Sequence, residues 1–176
     1  MLCYLGALAS PALAATITGT EDRDNLSGTQ GADLMNGLGG DDYLGSERGG
    51  DTVNGGSGRD TIFGGRGADT LNGGPGIDGD GPAQDPDGPD RHDGMILGGP
   101  GDDIVRGNEG KDILYGNGGK DRVNGGPGND LVAGAAASSG RGNNHRDVLR
   151  GGPGFDRCVG DHLDIFRGCE RIFRIQ

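Results

Sequence analysis

The residues that could do chemistry in this chain are aspartates held at a fixed spacing. Residues 55–72 read GGSGRDTIF and GGRGADTLN, two nine-residue units with Gly at the first, second and fourth places, Asp at the sixth and a branched apolar residue at the eighth. The same template fits units starting at Gly19, Gly28, Gly37, Ser46, Gly55, Gly64 and Gly73, then at Gly98, Gly107, Gly116 and Gly125, then at Gly142 and Gly151. These units span two-thirds of the 176 residues, and all carry the sixth-place aspartate: Asp24, Asp33, Asp42, Asp51, Asp60, Asp69, Asp78, Asp103, Asp112, Asp121, Asp130, Asp147 and Asp156. Carboxylates so arranged are ligands for a hard cation. Calcium suits them best, because it accepts six to eight oxygens in adaptable geometry, including the backbone carbonyls that glycine-rich turns expose. Magnesium demands a stricter octahedron and keeps its waters, and zinc prefers His or Cys, which the repeats hardly offer.

Glycines at the first, second and fourth places permit positive φ and close backbone approach, as a tight turn requires. The remaining x-D-x-U-x half alternates one inward apolar side chain with outward neighbours, the period-two pattern of a short strand. One unit is then a turn plus a strand, and two units make a coil of 18 residues. Successive coils stack as parallel strands, with residues i and i+18 about 4.8 Å apart. Asp24, Asp42, Asp60 and Asp78 fall on one edge, and Asp33, Asp51 and Asp69 on the other. Uncompensated, adjacent carboxylates at that spacing repel by roughly 3 kcal/mol at an effective dielectric of 20.

The GGxGxDxUx pattern resembles the RTX (repeats-in-toxin) hemolysin-type family. The resemblance implies an all-β fold, a parallel β-roll or right-handed β-solenoid. It also implies that each calcium ion is held between adjacent turns by the sixth-place aspartates and loop carbonyls, a role carried onto all thirteen aspartates here.

Composition agrees. With 42 Gly, four Phe, three Tyr and no Trp, the chain cannot build an ordinary globular core, and composition alone reads as disorder. The eighth-place column supplies some apolar burial, and ion binding must supply the rest. A net charge of −11 points the same way, since the metal-free chain repels itself. It also argues against nucleic acid as a partner.

In chain order, residues 1–14 read MLCYLGALASPALA, an apolar run ending in an A-x-A site and lacking a basic n-region. It is expected to be a secretory signal, with a buried N-terminal cap strand as the alternative, and it is too short to span a bilayer. The roll is expected over 15–159. In the seventh unit Asp80 takes the apolar place, and a loop insertion follows at about 82–97. Its Asp85, Asp87, Asp90 and Asp93 invite an EF-hand reading, but Pro89 holds the fifth ligand place and the closing Glu is absent, so a solvated acidic loop is preferred. Met95, Ile96 and Leu97 could form a calcium-free strand that keeps the coil in phase.

The second block places Asp103 and Asp121 on one edge, with Asp112 and Asp130 on the other. Its seventh places turn apolar, with Ile104, Ile113 and Leu131 facing outward, either as a contact surface or through plain strand preference. A small-residue loop, 134–141, precedes the last units. Looping it out sets Asp147 above Asp121 and Asp156 above Asp130.

The tail, 160–176, concentrates apolar residues that the repeats lack, and reads as a cap over the open solenoid core. After signal removal Cys158 and Cys169 are the only cysteines, and in a secreted chain such a pair reads as a disulfide, with a thiol metal site as the lesser reading. The Cys-x10-Cys-Glu tail also resembles the ends of secreted bacterial RTX-like proteins.

His92, His145 and His162 lie at no ligand spacing, and no Ser or Cys has a paired base nearby. The G-x-G-x-x-G match at residues 74–79 lacks a surrounding βαβ unit. The expectation is therefore a secreted, extracellular calcium-binding module with a structural or interaction role, not an enzyme, and an extracellular protein or cell-surface partner. The alternative is an accessory module or fragment of an extracellular enzyme. Ice binding through Thr-x-Asn rows finds only Thr52–Asn54 and Thr70–Asn72.

Overall fold

The structure is a computed structural model that describes residues 13–76, 78, 95–135 and 145–175. Each repeat contributes one short strand, and successive strands alternate between two parallel sheets. The first sheet stacks β1 (Thr16–Thr18), β3 (Leu34–Gly39), β5 (Thr52–Ser57), β7 (Thr70–Asn72), β9 (Ile104–Arg106), β11 (Arg122–Asn124), β13 (Val148–Arg150) and β15 (Ile165–Arg167). The second stacks β2 (Asn25–Ser27), β4 (Tyr43–Gly45), β6 (Thr61–Phe63), β8 (Ile96–Pro100), β10 (Ile113–Gly118), β12 (Leu131–Ala133), β14 (Arg157–Gly160) and β16 (Arg171–Arg174). The chain is thus an all-β parallel β-solenoid. No helix among the described residues is long and apolar enough to cross a membrane.

The eighth-place side chains meet between the sheets. Met35, Val53, Leu71, Val105, Val123 and Leu149 come from the first sheet, and Leu44, Ile62, Ile96, Leu114, Val132 and Cys158 from the second, all essentially without solvent exposure. A core one side chain wide from each sheet explains how so few apolar residues can suffice. Glycine sets the turns that bring the sheets together. Gly67 has φ +138°, and a Cβ there would run into the Gly49 carbonyl oxygen of the preceding coil.

Both interruptions fall inside repeats. Ile96 pairs in register with Ile62 and Leu114, so it fills the core place that Asp80 was expected to spoil. In the coil Asp78 is therefore followed by Met95, and Ile96 and Leu97 belong to β8, not to a loop reaching 97. The acidic segment with Asp85, Asp87, Asp90 and Asp93 lies outside the described residues, as do Asp80 and residues 1–12. At the second interruption Gly134 donates its N–H to the Val159 carbonyl, as first-place Gly125 does to Arg150. Gly134 therefore opens the unit of Asp147, a place the sequence assigned to Gly142, which lies outside the described residues with most of 134–141.

The tail adds a final coil. Phe166 aligns with Leu149 and packs against the core, and Ile172 aligns with Cys158 but stays 47% exposed. Cys158 and Cys169 form a disulfide with Cα atoms 5.9 Å apart. Guanidinium groups cover the end rings, Arg174 over Phe166 at 5.1 Å and Arg157 over Phe173 at 5.5 Å.

Candidate metal centre

The sixth-place aspartates form two unbroken columns, one at each edge where the turns meet the strands. In each column the backbone N–H of one aspartate donates to a carboxylate oxygen of the aspartate one coil further on. The first column runs Asp24, Asp42, Asp60, Asp78, Asp112, Asp130, Asp156, with N···Oδ1 distances of 2.8, 3.0, 2.9, 2.8, 3.0 and 2.9 Å. The second runs Asp33, Asp51, Asp69, Asp103, Asp121, Asp147, at 2.7, 2.8, 2.8, 2.9 and 2.9 Å. The two sequence blocks are therefore continuous, with Asp78 joined to Asp112 and Asp69 to Asp103. Asp147 does stack on Asp121, and Asp156 on Asp130.

Each column ends on a residue that the repeat template misses. Asp147 N–H donates to Asp164 Oδ1 at 2.9 Å, and Asp156 N–H to Glu170 Oε2 at 2.7 Å. The coil shortens there, so neither carboxylate lies 18 residues after its partner. The only signals in the sequence are Asp-Ile-Phe and Glu-Arg-Ile, fragments of the D-x-U pattern.

The second carboxylate oxygen distinguishes the interior of the columns from their ends. Oδ2 of Asp42, Asp51, Asp60, Asp69, Asp78, Asp103, Asp112, Asp121, Asp130 and Asp156 is buried without a hydrogen-bond partner. At the first coil, Thr20 N–H and hydroxyl satisfy Asp24 Oδ2, at 2.6 and 3.0 Å, and Thr29 N–H satisfies Asp33 Oδ2 at 2.5 Å. At the far end Asp161 N–H satisfies Asp164 Oδ2 at 2.7 Å. Protein groups satisfy these three carboxylates, and ten others along the columns keep an orphaned oxygen.

Those orphans strain the carboxylates electrostatically. Burial pushes Asp78 up to about 8, Asp60, Asp103, Asp121 and Asp130 up to about 7, and Asp69 and Asp112 up to about 6, against the opposing pull of the backbone N–H each accepts. Neighbouring carboxylates add to the rise at Asp60, Asp78 and Asp121. At Asp33 burial also acts to raise the carboxyl, but hydrogen bonds from Thr29 and Ala15 outweigh it and hold it below its usual value.

First-place glycines let the backbone approach every orphan closely except that of Asp51, whose unit opens on Ser46. A Cβ on Gly64 would lie 2.7 Å from Asp69 Oδ2 and 2.5 Å from the Gly98 carbonyl oxygen. The two atoms nearest that position are a carboxylate and a carbonyl oxygen, donors that suit a hard cation. Among the described residues no three Asp, Glu, His or Cys side chains gather as a metal cluster. No side-chain cage of the zinc type is therefore formed among the described residues, and an ion held in the columns would draw on stacked aspartates together with turn carbonyls. Such an ion would neutralise the column and tie each coil to the next. Ser46, the one first-place residue that is not glycine, turns its hydroxyl to the Gly64 carbonyl at 2.6 Å.

Among curated proteins none matches this sequence. The model of the RTX calcium-binding nonapeptide repeat matches in four copies, at residues 18–53, 46–79, 97–132 and 141–158, together more than half of the chain. The matched stretches carry all thirteen column aspartates and the parallel solenoid they line, and the chain belongs to the RTX calcium-binding nonapeptide repeat family.

Proposed function

We propose that the protein is a secreted, extracellular module that calcium orders, with a structural or interaction role and no catalysis of its own. The observation that carries this is the row of ten buried, unpartnered Oδ2 atoms along the two columns, absent at Asp24, Asp33 and Asp164, where Thr20, Thr29 and Asp161 supply a partner. Buried anionic oxygens without a partner cost free energy that a bound cation removes. The ligands in this reading are the thirteen column aspartates. Asp24 and Asp33 spend their second oxygen on threonine and so hold the weakest sites. The disulfide supports an oxidising compartment, and the apolar A-x-A segment supports export. Circular dichroism with and without a chelator tests the reading: calcium should convert a disordered chain into β-structure. A metal-free chain already ordered and unmoved by calcium would overturn it.

A further inference from the structure

The C-terminal half of the first sheet carries a positive face on an acidic protein. On β9, β11, β13 and β15 the outward places hold Arg106, Arg122, Arg150 and Arg167, with Asn124, Ile104, Val148 and Ile165 beside them, and no Asp or Glu. All four arginines are exposed. They line a shallow cleft of about 330 Å³. Arg150 stands directly opposite Arg167, and Arg106 reaches Arg150 through Asn124 in the same register row.

This row is not the default for the fold. In the N-terminal half the same row is Asn36, Asn54 and Asn72, joined by side-chain hydrogen bonds of 3.1 and 2.9 Å. Arginine has no acceptor and cannot continue such a ladder. Like charges set opposite each other on one face are unfavourable, and no carboxylate on the face relieves them. The column aspartates sit elsewhere, along the turn edges.

We infer that this arginine face binds a linear polysaccharide bearing sulfate or carboxylate groups. Guanidinium forks pair bidentately with such groups. The row spacing of about 4.8 Å also approximates the advance of one extended sugar residue, so a chain crossing the strands presents an acid group to each arginine. Resting on the calcium reading above, ions that neutralise the aspartate columns leave this face as the dominant field, so binding strengthens when calcium is present.

Anisotropy of fluorescent dextran sulfate, measured in saturating calcium at several salt concentrations, tests the inference. The variant carrying Arg106→Asn, Arg150→Asn and Arg167→Asn restores the asparagine row found in the other half, and circular dichroism checks its fold. It should bind at least about tenfold more weakly with a shallower salt dependence, whereas Arg48→Asn on a turn should bind as the wild type does. Neutral dextran should not bind. Unchanged affinity in the triple variant overturns the inference, as does binding to phosphatidylglycerol vesicles without binding to the polymer. If the fold persists in chelator while binding still needs the arginines, the calcium reading fails and the arginine face stands. If the fold collapses in chelator and binding never needed the arginines, the arginine face fails alone.

Discussion

The backbone N–H of Asp60 donates to Oδ1 of Asp78 at 2.9 Å, while Oδ2 of Asp78 is buried with no partner at all. One carboxylate therefore has two roles in the proposed function: one oxygen pins the preceding coil, and the other would take a cation. Because the same bond recurs along both columns, cooperativity between coils is built into the repeat.

That division of labour makes the columns unequal from end to interior. Asp60→Ala removes the acceptor of Asp42 N–H and leaves it buried and unpaired, a loss of about 1–3 kcal/mol, and it deprives the sites on both sides of a ligand. In Asp24→Ala the oxygen lost is one already bonded to Thr20. Calcium titration by calorimetry should show the larger loss of stoichiometry and affinity for Asp60→Ala. Equal losses in the two variants would contradict the stacking.

The raised carboxyl groups set the pH response of the metal-free roll. Their folded-state values, about 6 to 8 at Asp69, Asp60 and Asp78, lie above the ordinary 3.8, so folding takes up protons between pH 3.8 and about 8. The stabilisation from proton uptake is full below pH 3.8 and is lost as pH rises through the folded values. In chelator, the β-signal should be stronger at pH 5 than at pH 8. Calcium affinity should run the other way and weaken as pH falls through 8 to 6, because protons compete for the same oxygens. A calcium affinity flat across that range would show that these carboxylates are not the ligands.

The nine-residue phase made both aspartate columns and the core column legible in the sequence, because each place in the repeat maps to one direction in the coil. It failed where the coil changes length. Asp164 and Glu170 fall short of the 18-residue step, since the cap closes with tighter turns, and a template of fixed period cannot see them. The interruptions were placed at repeat boundaries, although Met95 follows Asp78 in space and Gly134 serves Asp147. A segment can leave a solenoid anywhere the chain faces solvent, and glycine on both sides of each gap hides the exit point. The orphaned Oδ2 atoms and the arginine row depend on what lies one coil away, which sequence order does not display.

Glycine positions should differ sharply in tolerance. Gly67→Ala must hold a Cβ at φ +138° against the Gly49 backbone, and should cost about 1–3 kcal/mol. Gly45 has nothing within 4 Å of its Cβ position, so Gly45→Ala should be close to neutral. Chemical denaturation in saturating calcium measures both, and similar midpoints would refute the close-approach account of the turns.

The last prediction concerns the C-terminal end, where the core must be closed by something other than another repeat. Cys158 occupies an inward core place on β14 with no exposure, and its bond to Cys169 draws the neighbouring Glu170 to the end of the first column. A disulfide closing a loop of 11 residues contributes on the order of 3 kcal/mol by chain-entropy estimates. Reduction should therefore free Glu170 from Asp156 and loosen β15 and β16, while the coils around Asp42 and Asp60 stay closed. In calcium, hydrogen exchange after reduction should rise from about residue 145 onward and fade towards the N-terminus, and Asp156 should be the first column aspartate to lose its ion. Mass spectrometry of the purified protein should show both cysteines oxidised before reductant is added. Exchange that rises equally along the whole roll would mean that the bond holds no particular end closed, and that the final coil owes its place to strand pairing alone.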